Sequence, residues 1–193
     1  MIAFKGFTKE LVSRLGDGKK ENCHFRVGET KKVEKSKTVS CGFHCCENPF
    51  ECLTYYNLDG KNRFFMVEAA GDIDEDASNR IACTEITLLK ELTVMEFAME
   101  GMKYIISHPD RRDWQQSHGT VNVGLSKATA PMENCIAIAR GQNPMVKGPK
   151  GSILGLIVED VSGDIIDCKL FRQTEELADK WCTINRNRRV VEV

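Results

Sequence analysis

The densest group of residues that could do chemistry lies in one segment, residues 41–56, which holds four of the nine cysteines and one of the four histidines. Within it, Cys41, His44, Cys45 and Cys46 carry the soft donor atoms that Zn²⁺ prefers in proteins. A structural zinc site usually contains Cys-x-x-Cys pairs, however, and adjacent cysteines rarely face the same metal. We therefore interpret these cysteines as buried thiols and predict no metal site.

The same segment offers a second chemistry, in which a cysteine thiolate attacks a substrate and His44 acts as the base. That mechanism needs the two side chains to point at each other and a third group to orient the imidazole. Residues so close in sequence seldom achieve this, and no orienting partner for His44 is evident. A structural role for His44 in holding a turn is the preferred interpretation.

The elements that position this segment can be predicted from its capping residues. Asn48 can accept a hydrogen bond from the N–H of Glu51, and Glu51 can reach back, which is a capping box. Pro49 then falls at the first helical position, where its missing N–H is not needed. We predict that Gly42-Phe43-His44 ends a strand or tight loop and leads into a short helix over residues 49–56.

Hydrophobic patterning predicts further elements. Alternating or apolar runs predict strands over residues 2–7, 63–69 and 81–87. Residues 71–76 are predicted to form an acidic turn, without the spacing of a calcium loop. An apolar stripe at intervals of three and four residues predicts a helix over 94–107, which ends before Pro109.

The composition of the chain changes at residue 119. Between residues 119 and 155 small residues dominate, and three short apolar pieces recur at near-regular spacing, as in the coils of a β-solenoid. The final stretch predicts strands over 153–158 and 164–170, a short helix over 174–180 and a closing hairpin. We predict an α+β fold, with a mixed strand and helix module at 1–110. A short β-roll or solenoid-like tract with C-terminal strands follows at 111–193.

Composition narrows the class of protein. The chain has 193 residues, 41% of them hydrophobic, and a formal net charge of −1. This charge argues against a global basic field, so no direct sequence-specific nucleic-acid binding is expected. No apolar run approaches the ~20 residues of a membrane span, and the start has no signal-peptide pattern. We therefore expect a cytoplasmic protein with reduced thiols and no membrane partner.

The order of several short segments resembles that of ADP-ribosyltransferase-type domains. The segments are Phe4-Lys5-Gly6, Gly42-Phe43-His44 and Val67-Glu68. The resemblance implies an NAD-binding enzyme in which Lys5, His44 and either Glu68 or Glu85 form the site. Lys5 stands where that family has arginine or histidine, and the family's Ser-Thr-Ser step and Glu-x-Glu turn are absent from this sequence.

The chain as a whole resembles a family of uncharacterised proteins encoded in bacteriophage and prophage genomes. The matching segments are Ala3-Phe4-Lys5-Gly6-Phe7, Phe25-Arg26-Val27-Gly28-Glu29, Gly42-Phe43-His44-Cys45-Cys46-Glu47-Asn48-Pro49, Tyr55-Tyr56 and Val67-Glu68-Ala69-Ala70-Gly71. A later segment, residues 134–141, resembles a repeat of the β-roll heads of trimeric adhesins. The closing strands, around Trp181 and 190–193, are also similar to the family's tail. The resemblance implies a bacterial host and identifies no catalytic residue.

These observations favour an intracellular interaction protein of phage origin. It is expected to bind and inhibit a bacterial host protein or ribonucleoprotein, for example as a CRISPR inhibitor, and to need no cofactor. One alternative is the ADP-ribosyltransferase-like enzyme, with NAD as its cosubstrate. A third is a self-assembling phage structural protein, since solenoid ends are covered by closed association into a homo-oligomer.

Overall fold

The computed structural model describes residues 1–13, 23–38, 40–75, 80–111 and 114–193. Contacts divide the chain into two compact units, which we call unit 1 (Met1–Thr93) and unit 2 (Val94–Val193). Both are rich in strands, which confirms the β-rich α+β class. The predicted domain boundary at residue 110 stays a prediction. No helix in the described part of the chain is long and apolar enough to cross a membrane.

Unit 1 is an antiparallel sheet with one short helix. Its strands are β1 (Ile2–Thr8), β2 (Val12–Ser13), β3 (Cys23–His24), β4 (Thr30–Lys32), β5 (Phe43–Cys46), β6 (Asn62–Glu75) and β7 (Arg80–Leu92). The main sheet has the order β4-β7-β5-β1-β6, and β6 also pairs with β7. Four strands, β7, β5, β1 and β6, therefore form a closed ring, while β2 and β3 pair separately.

The ring encloses an apolar core because side chains alternate between the two faces of a strand. Every second residue of β1 and β6 points inward, and the buried cluster includes Ala3, Phe7, Phe65, Val67 and Ala69. The rings of Phe7 and Phe65 meet edge to face, with centroids 5.6 Å apart. The alternate residues of β1 and β6 face outward. The short helix covers part of this outer face.

The short helix is a 3₁₀ helix over Pro49–Thr54, so the predicted helix over 49–56 is placed correctly but has a different type. The predicted bond of the capping box from the N–H of Glu51 to the side chain of Asn48 is wrong. The side chain of Asn48 accepts from the N–H of Phe50 (3.0 Å), and Glu51 N–H donates to the main-chain oxygen of Asn48 (3.1 Å). This tighter pattern follows from the 3₁₀ spacing, which brings the cap one residue closer.

The predicted acidic turn over 71–76 is also wrong for its described part, because β6 continues to Glu75. Gly71 has a φ of +75°, and the register with β7 shifts between Ala70 and Ile73. A glycine bulge of this kind allows residues that usually form a turn to lie within a continuous strand. Asp74 then accepts hydrogen bonds from the N–H and the hydroxyl of Thr38. Asp76 lies outside the described residues.

Unit 2 begins with α1 (Val94–Ser107), which confirms the predicted helix. Its strands are β8 (Gln116–Ser117), β9 (Val121–Thr129), β10 (Ile136–Lys147), β11 (Ile153–Glu159), β12 (Ile165–Arg172), β13 (Cys182–Ile184) and β14 (Val190–Glu192). β9, β10 and β11 lie side by side in parallel, and β12 pairs antiparallel with β11. The closing hairpin is confirmed as β13 and β14.

Small residues make up much of one side of the core in unit 2. One cluster joins Ala137 and Ala139 of β10 to Leu154 and Leu156 of β11. On the other face, Gly155 lies so close to Met102 of α1 that a Cβ would approach the sulfur to 2.7 Å. Alanine and glycine thus allow close packing of the parallel strands and the helix.

The short helix predicted over 174–180 is wrong. Ala178 N–H donates to Glu175 and Lys180 N–H to Leu177, which are consecutive turns rather than helical bonds. Asp179 has a φ of +58°, which a continuing right-handed helix excludes.

Candidate functional site

Lys5 lies inside the ring of unit 1. Its neighbours of the same parity on β1, Ala3 and Phe7, are fully buried, and Lys5 itself is only 7% exposed. The Nζ atom donates to the main-chain oxygen of His44 (2.5 Å) and lies 5.5 Å from the centroid of the Phe7 ring. The structure thus brings Lys5 and the backbone of His44 together, and Lys5 joins β1 to β5.

His44 is half-buried on β5, where it is the register partner of Ala82 in β7. Burial and then the positive charge of Lys5 lower the pKa of the imidazole, while a hydrogen bond with the backbone of Lys37 partly opposes this. These causes favour the neutral ring. A neutral imidazole suits both a structural role and that of a base.

Four cysteines of unit 1 form two thiol pairs. Inside the ring, the Cys45 thiol hydrogen-bonds to Cys83, which raises the pKa of Cys45 and lowers that of Cys83. Between β5 and the 3₁₀ helix, a hydrogen bond to Cys46, followed by burial, raises the pKa of Cys52. All four thiols are at most 5% exposed, which confines them to packing roles.

The alternation of β5 separates the residues that carry soft donor atoms. Cys45 belongs to the inner cluster, so its neighbours His44 and Cys46 point away from it. Among the described residues, no group of three or more His, Cys, Asp or Glu side chains could hold a metal ion. Cys41 lies before the strand, where it forms an isolated bridge with Lys37.

The predicted glutamates lie on the outer face, away from Lys5. Glu68 of β6 is exposed and is flanked by the inward-facing Val67 and Ala69. Glu85 of β7 forms an ion pair with Lys32 (2.9 Å). The structure therefore does not bring either carboxylate to the Nζ atom of Lys5.

A second buried cation, Arg140 of β10, is missing from the sequence interpretation. Its side chain is 2% exposed, and Nε donates to Glu159 Oε1 (2.5 Å) while Nη2 donates to the Pro109 carbonyl (2.8 Å). The guanidinium lies 5.3 Å from the Trp114 ring centroid. A single arginine at the end of the apolar run Ile-Ala-Ile-Ala was the signal that could have identified it.

Comparison with known proteins relates the first half of the chain to one family. No curated protein and no solved structure matches the chain. The profile of the family described as "Domain of unknown function (DUF7666)" matches residues 1–100. This match spans the strands of unit 1 and more than half of the sequence, so the chain belongs to the DUF7666 family.

Proposed function

We propose that the protein binds and inhibits a bacterial host or defence macromolecule through the outer face of the sheet in unit 1. The observation that supports this is a row of four residues, one on each of β1, β6, β7 and β4. Ile2 lies beside Glu68, Glu68 beside Thr87, and Thr87 beside Thr30. With strands about 4.8 Å apart, the row crosses about 14 Å of sheet.

The side chains on this outer face favour a protein partner. Ile2 is 52% exposed and Leu89, which follows Leu88 on β7, is 40% exposed. Between them, Glu68 has no ion-pair partner among the described residues. Apolar contacts around one unpaired carboxylate fit a protein surface that presents an apolar patch and an arginine or lysine.

The resemblance to phage-encoded proteins leads us to propose a bacterial host protein or ribonucleoprotein as the partner, in the cytoplasm of the host. A CRISPR effector is the concrete case. On such a ribonucleoprotein, Glu68 would contact a protein subunit, because a carboxylate repels the phosphates of the guide RNA.

The test is interference with a targeted plasmid in cells that carry an active CRISPR system. Expression of the wild type should protect the plasmid, and Glu68→Lys should abolish protection because the carboxylate meets a cation in the partner. Glu34→Lys is the matched control, since Glu34 is also exposed in unit 1 and lies outside the row. Unprotected plasmid with the wild type across a panel of effectors, and no binding to the purified effectors, would contradict the proposal.

Transfer of label from NAD separates this proposal from the enzymatic alternative. An interaction protein should transfer no label to host lysate. If it does, and both His44→Ala and Glu68→Gln abolish the transfer, the protein is an ADP-ribosyltransferase and the interaction proposal fails.

The parallel strands of unit 2 favour a second candidate, a self-assembling structural component built on a shortened β-roll. Val121 pairs with Ile136, and Ile136 with Ile153, so successive strands are offset by 15 and 17 residues. Near-constant offsets between parallel neighbours are typical of solenoid coils. Duplicating residues 136–152 should add one coil and preserve cooperative unfolding; loss of folding would contradict a β-roll.

A further inference from the structure

Strand β12 forms an edge of the sheet in unit 2. It pairs antiparallel with β11, and no other strand in the described part of the chain pairs with it. Gln173 N–H donates back to Ser152 (2.8 Å), whereas Cys168 N–H donates to the side chain of Asp167 (2.8 Å) instead of to β11. Since backbone groups alternate in direction along a regular strand, the N–H groups of Cys168, Leu170 and Arg172 point to the free edge.

The residues of this edge are arranged symmetrically around Cys168. Positions at equal distances on either side are opposite in charge or alike in hydrophobicity. The pairs are Asp167 and Lys169, Ile166 and Leu170, Ile165 and Phe171, and Asp164 and Arg172. Antiparallel pairing of β12 with a second β12, centred on Cys168, would place Asp167 directly opposite Lys169. The outer pairs would come near each other, because the register with β11 shifts between Asp167 and Ile165.

Charge selects this register over its neighbours. A shift of the two-fold axis by one residue in either direction places Asp167 opposite Asp167 of the second copy, or Lys169 opposite its own counterpart. Both arrangements set like charges face to face, which destabilises a strand pair. The axis at Cys168 brings each Asp167 to Lys169 of the second copy and makes the two Cys168 residues a hydrogen-bonded pair.

In a single chain, the exposure and the partners of these side chains leave them available for pairing with a second β12. Lys169 is exposed and has no ion-pair partner among the described residues. Asp167 forms an ion pair with Arg188 (2.6 Å), and its Oδ1 atom accepts a hydrogen bond from the Cys168 N–H. Ile166 is 62% exposed. A second strand would accept the Cys168 N–H, leave the Arg188 pair in place and cover Ile166.

We propose that two copies of this chain associate through β12, in antiparallel register about Cys168. The contact is isologous and uses residues of unit 2 alone, so it closes as a dimer. It is independent of the proposed host partner.

Sedimentation or light scattering in reducing buffer, from micromolar to millimolar concentration, tests this proposal. The wild type should approach twice the monomer mass of 21.7 kDa. Lys169→Asp should weaken association about tenfold or more, because it places carboxylates opposite each other at two symmetric positions. The double variant Asp167→Lys with Lys169→Asp restores opposite charges and should recover the dimer. A monomer at every concentration, or a dimer whose association is unaffected by these substitutions, would overturn the proposal.

Cross-linking at the axis gives an independent readout. All nine cysteines lie in the described residues, and Cys168 is the only exposed one. A short bis-maleimide should join two chains at Cys168, since opposed residues in an antiparallel pair have Cα atoms about 5.5 Å apart. Cys168→Ser should remove this product and leave the sedimentation result unchanged. Cross-links that persist in Cys168→Ser would place the contact elsewhere.

Discussion

The two units of the described structure each bury a cation in the middle of a sheet, but they stabilise its charge differently. In unit 2, Arg140 contacts the carboxylate of Glu159, a main-chain carbonyl and the ring of Trp114. In unit 1, Lys5 donates to the neutral main-chain oxygen of His44 and has no carboxylate partner among the described residues. The contrast shows that burial alone does not define a site: Arg140 is one member of a charged network, whereas Lys5 links two strands.

Removal of the Arg140 cation should have the largest effect. Arg140→Met leaves the carboxylate of Glu159 nearly buried without its counter-ion, so we expect a loss of about 3–5 kcal/mol in the free energy of unfolding. Both tryptophans, Trp114 and Trp181, lie in unit 2, so urea titration followed by tryptophan fluorescence reports on that unit.

The double variant Arg140→Met with Glu159→Gln tests the cause. Neutralising the carboxylate should recover part of the lost stability, because the unpaired charge is then gone. Arg172→Met, at an exposed arginine of the same unit, is the control and should cost much less. A loss below about 1 kcal/mol for Arg140→Met would remove the contrast between the two units.

Lys5→Met should cost less, about 1–2 kcal/mol, because it removes one hydrogen bond and keeps most of the buried side-chain volume. Unit 1 contains no tryptophan, so hydrogen exchange of the β1 amides is the suitable measurement. Lys61→Met, at an exposed lysine of the same unit, provides the control. A cost equal to that of Arg140→Met would mean that Lys5 has a charged partner outside the described residues.

The burial of His44, together with its proximity to Lys5, also predicts a pH dependence of stability in unit 1. The pKa of His44 is lowered in the fold, so the unfolded chain binds the proton more readily. Stability is therefore complete above the ordinary histidine pKa of about 6.5 and falls as the pH drops through the lowered value. His44→Gln should flatten this decline in hydrogen exchange between neutral and mildly acidic pH. An unchanged slope would assign the decline to other groups.

Much of the fold could be predicted from local pattern. The apolar stripe of α1 and the proline that follows it predict the helix without tertiary contacts, and β1 and the closing hairpin follow from alternation. The continuation of β6 through its acidic residues could not be predicted. It depends on a bulge at Gly71 and on hydrogen bonds from Thr38 to Asp74, a residue 36 positions away.

The candidate site was less accessible to sequence reasoning, because pairing between distant strands decides which side chains meet. The partner of Cys45 is Cys83 on β7, although Cys46 is its neighbour in sequence. Likewise, the order of the segments around Lys5, His44 and Glu68 does not specify on which face of a strand each residue lies. The parity of β1 and β6 places Lys5 inside the ring and Glu68 outside it.

The smallest effect is expected for an ion pair that has good geometry but little burial. It separates the contribution of geometry from that of burial. Arg63 of unit 1 binds Glu91 through two bonds, Nε to Oε1 (2.7 Å) and Nη2 to Oε2 (2.6 Å). The two side chains are 32% and 44% exposed. Solvent screens such a pair, so Glu91→Gln should cost at most about 0.5–1 kcal/mol, far less than Arg140→Met.

Salt and pH distinguish this pair from the buried one. The bond to Arg63 lowers the pKa of Glu91, so its contribution is complete above the ordinary glutamate pKa of about 4.3 and disappears as the pH falls through the lowered value. High salt should reduce the difference between the wild type and Glu91→Gln in hydrogen exchange of β6 and β7. The Arg140–Glu159 pair should barely respond, because its arginine is shielded from solvent. If both pairs weakened equally in salt, burial could not be the cause of their different strengths.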